Sequence, residues 1–113
     1  VAYYTDYSLE AFGPNGEEAI QFLKNKTYYN WTTDEGEHTL CDVKWYNWRG
    51  DVTAASLAYP DVTFIIDGIG EEYPDIWRAY AKNGRVEKVV ATIIISAPEW
   101  VHVNLGVLML ASR

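Results

Sequence analysis

Apolar and polar residues alternate near the start of the chain. Tyr3, Thr5, Tyr7 and Leu9 interleave with Tyr4, Asp6, Ser8 and Glu10. Successive strand side chains point to opposite faces, so this stretch predicts a half-buried strand over Ala2–Phe12. Gly13-Pro14-Asn15-Gly16 breaks it. The period then changes. Ala19, Ile20, Phe22 and Leu23 form an apolar stripe at helical spacing, and Asn15 with Glu18 has the spacing of a capping box. Glu17 and Glu18 at one end, and Lys24 and Lys26 at the other, complement a helix dipole. The helix is expected over Gly16–Asn25.

Tyr28, Tyr29 and Trp31 predict a strand that enters a hairpin through the acidic, glycine-containing turn 32–37 and returns over His38–Trp45. On the returning strand Thr39, Cys41, Val43 and Trp45 are expected to face the core, with Cys41 as a small buried hydrophobe. Leu40, Asp42, Lys44 and Tyr46 would face away. A second helix, opened by Asn47 or Asp51, carries Trp48, Val52, Ala55 and Tyr59 on one face and stops at Pro60. Val62, Phe64 and Ile66 alternate with Thr63, Ile65 and Asp67 in the next strand, and Gly68–Asp75 reads as a long turn. Asn83-Gly84 then predicts a tight hairpin between Ile76–Ala81 and Arg85–Ser96. Pairing Lys82 with Arg85 sets Trp77 opposite Val90, Ala79 opposite Lys88 and Ala81 opposite Val86. That side is expected in the core, with Arg78 and Tyr80 exposed; a slip of one residue would reverse the faces. After Ala97-Pro98, Val101, Val103, Leu105, Val107 and Met109 alternate with His102, Asn104 and Gly106. This predicts a further strand, or a helix from Leu105. Its apolar side must be covered within the chain or by a second copy, making Val101–Leu110 a candidate homodimer seam.

The element order predicts one α+β domain over residues 1–113. The expected architecture is a ferredoxin-like sandwich, an antiparallel sheet of five to six strands with two helices on one face. A chain of 113 residues suits a single domain. Aromatic residues make up 15%, so large rings must carry much of the packing. The net charge of -7 disfavours direct contact with nucleic acid or an anionic membrane, and fits a protein partner with a basic surface. The single cysteine excludes an internal disulfide and has no zinc spacing around it, which points to a reducing cytoplasm. No run of about 18 apolar residues occurs, so no membrane span is expected.

Lys44-Trp45-Tyr46-Asn47-Trp48, Tyr59-Pro60-Asp61-Val62-Thr63-Phe64, the acidic Gly-Glu turn, Asp75-Ile76-Trp77, Tyr80 and Asn83-Gly84 carry a family resemblance. Over residues 42–84 the chain resembles small ferredoxin-like proteins encoded by phages and mobile genetic elements. The resemblance implies the fold and a genetic neighbourhood in which small acidic proteins inhibit host defence machinery. It supplies no catalytic residues.

Candidate chemistry is sparse. His38 and His102 are far apart in sequence, and no recognised nucleophile motif joins His38 to Cys41 or Asp42. No catalytic residue, metal or cofactor is expected. Carboxylates cluster at Asp34, Glu35 and Glu37, and again at Glu71, Glu72 and Asp75 beside Tyr73. Neither cluster fits a calcium loop. They read as solvated turns or as an acidic rim for a basic partner, which makes these seven residues the candidate protein-binding site. The alternative is a small-ligand or carbohydrate platform built from Tyr28, Tyr29 and Trp31.

Overall fold

A computed structural model describes residues 2–101 and the backbone of residues 107–109. Strand β1 (Thr5–Phe12) buries Thr5, Tyr7 and Leu9 and exposes Asp6 and Glu10, as its alternation requires. The chain continues through α1 (Gly16–Thr27), β2 (Thr32–Asp34), β3 (Glu37–Val43), α2 (Trp48–Ala58), β4 (Thr63–Gly70), β5 (Ile76–Lys82) and β6 (Arg85–Val90). Two short strands follow, β7 (Ile94–Ser96) and β8 (Val107–Met109). The first six strands form one sheet in the order β2-β3-β1-β4-β5-β6, with every neighbouring pair antiparallel. Strands β7 and β8 pair as a separate ribbon. Helix α1 packs on β1, α2 packs on β4, β5 and β6, and the helices pack on each other. The core lies between this helix pair and the sheet. Leu9, Leu40, Phe64, Ile66 and Trp77 meet Ile20, Leu23, Val52 and Ala55 there.

The expected antiparallel sheet, of six strands where five to six were expected, and the two helices are present, and so is the β5–β6 register. Trp77 pairs with Val90, Ala79 with Lys88, Ala81 with Val86 and Lys82 with Arg85. Trp77 and Ala79 are buried, and Arg78 and Tyr80 are exposed. Val90, however, is exposed. Helix α2 covers β6 only in part: Val86 packs against the core, whereas Val90, at the far end of the strand, does not. Strand β6 also stops at Val90 rather than running on to Ser96.

Strand β3 corrects the sequence reading most sharply. His38 and Leu40 are buried and Cys41 is exposed, the reverse of the expected faces, although Val43 packs against the core and Trp45 is buried, as expected. The cause is a β-bulge. Thr5 pairs with Val43 but Tyr7 pairs with Leu40, so β3 carries one residue more than β1 across this interval. Asp42 takes a left-handed φ of 59°, and its N–H donates to Asp6 Oδ1 at 2.7 Å. The extra residue reverses the alternation between Leu40 and Trp45.

Three smaller expectations also change. Helix α1 runs to Thr27 and ends on Tyr28 at φ 58°, so Tyr28–Trp31 is not a strand. Asn15 makes no side-chain cap; its carbonyl accepts the Ala19 N–H at 3.0 Å instead. Gly68 and Gly70 lie within β4 rather than in a turn. The expectation for the apolar C-terminal run falls largely on residues outside those described; within it, Val107–Met109 is a strand.

Candidate functional site

The turn from β4 to β5 is held by the N-terminal segment. The Glu71 N–H donates to the Tyr4 carbonyl at 3.1 Å, and the Tyr4 N–H donates to Glu71 Oε1 at 2.9 Å. The Tyr3 hydroxyl donates to Asp75 Oδ2 at 2.6 Å and accepts the Glu72 N–H at 3.3 Å. The Tyr3 N–H donates in turn to the Tyr46 hydroxyl at 3.0 Å. The hydrogen bond to Asp75 raises the pKa of the Tyr3 phenol above its ordinary value. Gly70 makes this meeting possible, since a Cβ there would lie within 2.8 Å of the Asp75 carboxyl group and the Tyr3 hydroxyl. Two of the expected site residues, Glu71 and Asp75, therefore spend a carboxylate oxygen on the fold. Glu72 and Tyr73 on the same turn are exposed.

The other acidic cluster does not join this one. Asp34, Glu35 and Glu37 are exposed on the β2–β3 hairpin. Leu9 pairs with His38, whereas Thr5 pairs with Gly70, so the hairpin lies toward one end of β1 and the β4–β5 turn beyond the other. Eight residues of β1 span about 25 Å. The seven carboxylate and tyrosine positions grouped in the sequence thus form two surfaces at opposite ends of the sheet.

The aromatic trio is divided as well. The Trp31 indole N–H donates to Thr27 Oγ1 at 2.9 Å, and its ring meets Trp45 edge-on at 5.7 Å. The Tyr29 hydroxyl donates to the Lys44 carbonyl at 3.2 Å. Both side chains pack against the core, while Tyr28 stands 94% exposed. A stacking platform needs faces turned to solvent, and here the rings of Tyr29 and Trp31 are packed against the core.

The sheet face opposite the helices carries a surface that the sequence reading did not single out. Ile69 (54% exposed), Tyr80 (42%) and Val89 (55%) lie on it beside Ile65 and Ile76. Asp67 pairs with Arg78 across β4 and β5, and the Arg78 guanidinium donates to both carboxylate oxygens at 2.6 and 2.8 Å. These hydrogen bonds from Arg78 to Asp67 hold the guanidinium above its already high ordinary pKa. A shallow groove lined by Ile69, Ile76, Arg78, Val89 and Ala91 runs beside the pair. The available signal was Ile65 and Ile69 falling on the polar phase of a strand whose other phase is already apolar.

His38 points toward the helices and Cys41 away from them, on opposite faces of β3, so they cannot act as a pair. His102 lies outside the described residues. No group of three or more His, Cys, Asp and Glu side chains among the described residues is placed to hold a metal ion. None of the described helices is long and apolar enough to cross a membrane. No family model, curated protein or solved structure matches the chain.

Proposed function

We propose that this domain is a non-enzymatic protein-binding module that docks on a basic protein surface through the β4–β5 turn and the adjoining half of the open sheet face. The observation that carries this reading is the continuity of the two. Half-exposed Ile69 ends an apolar strip two residues before Glu71, and exposed Glu72 and Tyr73 follow on the turn. The turn is tied down before any partner arrives, so little ordering entropy opposes binding. Its charge favours fast encounter and selects a basic partner more than it adds raw affinity.

The finer fold reading is ferredoxin-like. The succession β1-α1-β2-β3-α2-β4 and the order β2-β3-β1-β4 support it, with β5 and β6 extending the sheet. The resemblance over residues 42–84 supports a phage or mobile-element protein acting in the host cytoplasm. Its target would be a host defence or nucleic-acid-handling protein whose basic surface this domain occupies.

The test begins with affinity capture from a host lysate and mass spectrometry, followed by surface plasmon resonance on the recovered partner. Glu72→Lys should lower the association rate at least tenfold at low salt and flatten its salt dependence. Ile69→Asp should speed dissociation. Capture of no partner, or unchanged kinetics in both variants, overturns the reading.

A further inference from the structure

We propose that His38 is a pH-operated latch that transfers the hold of α1 on the β2–β3 hairpin from Lys24 to Glu17 as the solution becomes acidic. His38 lies on the helix side of β3, opposite Leu9, and is 4% exposed. Its Nδ1 is 3.1 Å from Thr33 Oγ1 on β2. That same oxygen accepts the Lys24 ammonium of α1 at 2.9 Å. Its Nε2 has no hydrogen-bond partner among the described residues. The ionic group beside it is Glu17 Oε2 at 3.9 Å, on a side chain 85% exposed and so able to move.

With the Thr33 oxygen accepting from Lys24 and its hydroxyl proton given to His38 Nδ1, the neutral latch has the ring proton on Nε2, the side that faces the Glu17 carboxylate. A buried N–H is then aimed at Glu17 and stops short of it. The charged groups facing the ring are both on α1, Glu17 and Lys24; β2 presents the Thr33 hydroxyl and β1 presents Leu9. Burial, and after it the Lys24 cation, push the His38 pKa down, while Glu17 opposes them. Protonation therefore falls below the ordinary histidine pKa of about 6.5.

When the proton arrives, Nδ1 becomes a donor to Thr33, and the new positive charge repels Lys24 across that hydroxyl. The Nε2–H gains a charge-assisted bond to Glu17 once the exposed carboxylate closes by about 1 Å. Above the transition the hairpin is tied to α1 by Lys24–Thr33–His38. Below it the tie is His38–Glu17, and Lys24 is released. The sign follows from linkage. The folded pKa lies below the unfolded one, so the contribution to stability is complete above about pH 6.5 and declines as pH falls through the folded pKa.

Long-range ¹H–¹⁵N NMR between pH 8 and pH 4 tests the latch, with His102→Gln identifying the His38 signals. Neutral His38 should be the Nε2–H tautomer and titrate below 6.5. Glu17→Gln should move its midpoint further down and Lys24→Met should move it up, each by about half a unit or more. The β5–β6 hairpin signals, remote from the latch, report whether each variant is folded. An Nδ1–H tautomer, or a midpoint that responds to neither substitution in folded protein, overturns the proposal.

Discussion

Gly68 is a position where adding one methyl group should be costly. It pairs across the sheet with Trp77, and a Cβ built on it falls within 2.6 Å of three indole atoms. Ordinary contact needs roughly 3.4 Å or more, so the ring would have to retreat by about 1 Å. It has little room to do so. Trp48 stacks on it at 4.6 Å, Tyr7 meets it edge-on at 6.1 Å, and the Lys88 ammonium sits 5.0 Å from its centroid. Overpacking of this kind costs about 1–3 kcal/mol. Pulling Trp77 off its stack with Trp48 adds about 0.5–1.5 kcal/mol. Replacing glycine within a strand returns only about 0.5–1 kcal/mol. These contributions combine to a loss for Gly68→Ala centred near about 2 kcal/mol, within a span of about 0.5–4 kcal/mol. With urea m-values of about 1–3 kcal/mol/M, a loss of about 2 kcal/mol should lower the unfolding midpoint by roughly 0.7–2 M at unchanged m. Trp fluorescence and far-UV circular dichroism should report the same transition. In a Trp77→Leu background most of the penalty should vanish, giving a coupling energy above about 1 kcal/mol. A Gly68→Ala protein within about 0.5 kcal/mol of wild type, or an equal loss in both backgrounds, would refute the reasoning.

Two further perturbations test how the elements are joined. Ser56 is fully buried; its hydroxyl donates to the Thr53 carbonyl and accepts the Gly84 N–H at 2.9 Å, tying α2 to the β5–β6 turn. Ser56→Ala should cost about 1–2 kcal/mol and speed amide exchange at Gly84, and unaltered protection there would remove this tie from the account. Tyr3 has a folded pKa raised by its hydrogen bond to Asp75, so its contribution is complete below the unfolded value of about 10 and is lost as pH rises through the folded one. Tyr3→Phe should flatten the pH dependence of stability above about pH 10, and an unchanged slope counts against the N-terminal tie.

What could be read from the sequence was whatever short-range order encodes. Asn83-Gly84 sets a two-residue turn, and the turn sets the β5–β6 register without help from the rest of the chain. The buried phases of β1 and β4 follow from period-two alternation, and both helices from apolar spacing bounded by Gly16 and Pro60. The composition of the candidate site, two acidic runs, was equally visible. Its arrangement was not. Sequence distance between Glu37 and Glu71 does not reveal that their turns lie at opposite ends of one sheet. Nor does periodicity reveal a bulge at Asp42, because the residue that reverses the faces of β3 is selected by its bond to Asp6 on the neighbouring strand. Gly68 looked like a chain breaker and is instead a strand residue that makes room for a tryptophan on β5. Local chemistry determines which side chains point the same way along a segment. The bulge, the cross-strand pairing and the partial cover of β6 by α2 decide which of those faces is core and which meets solvent.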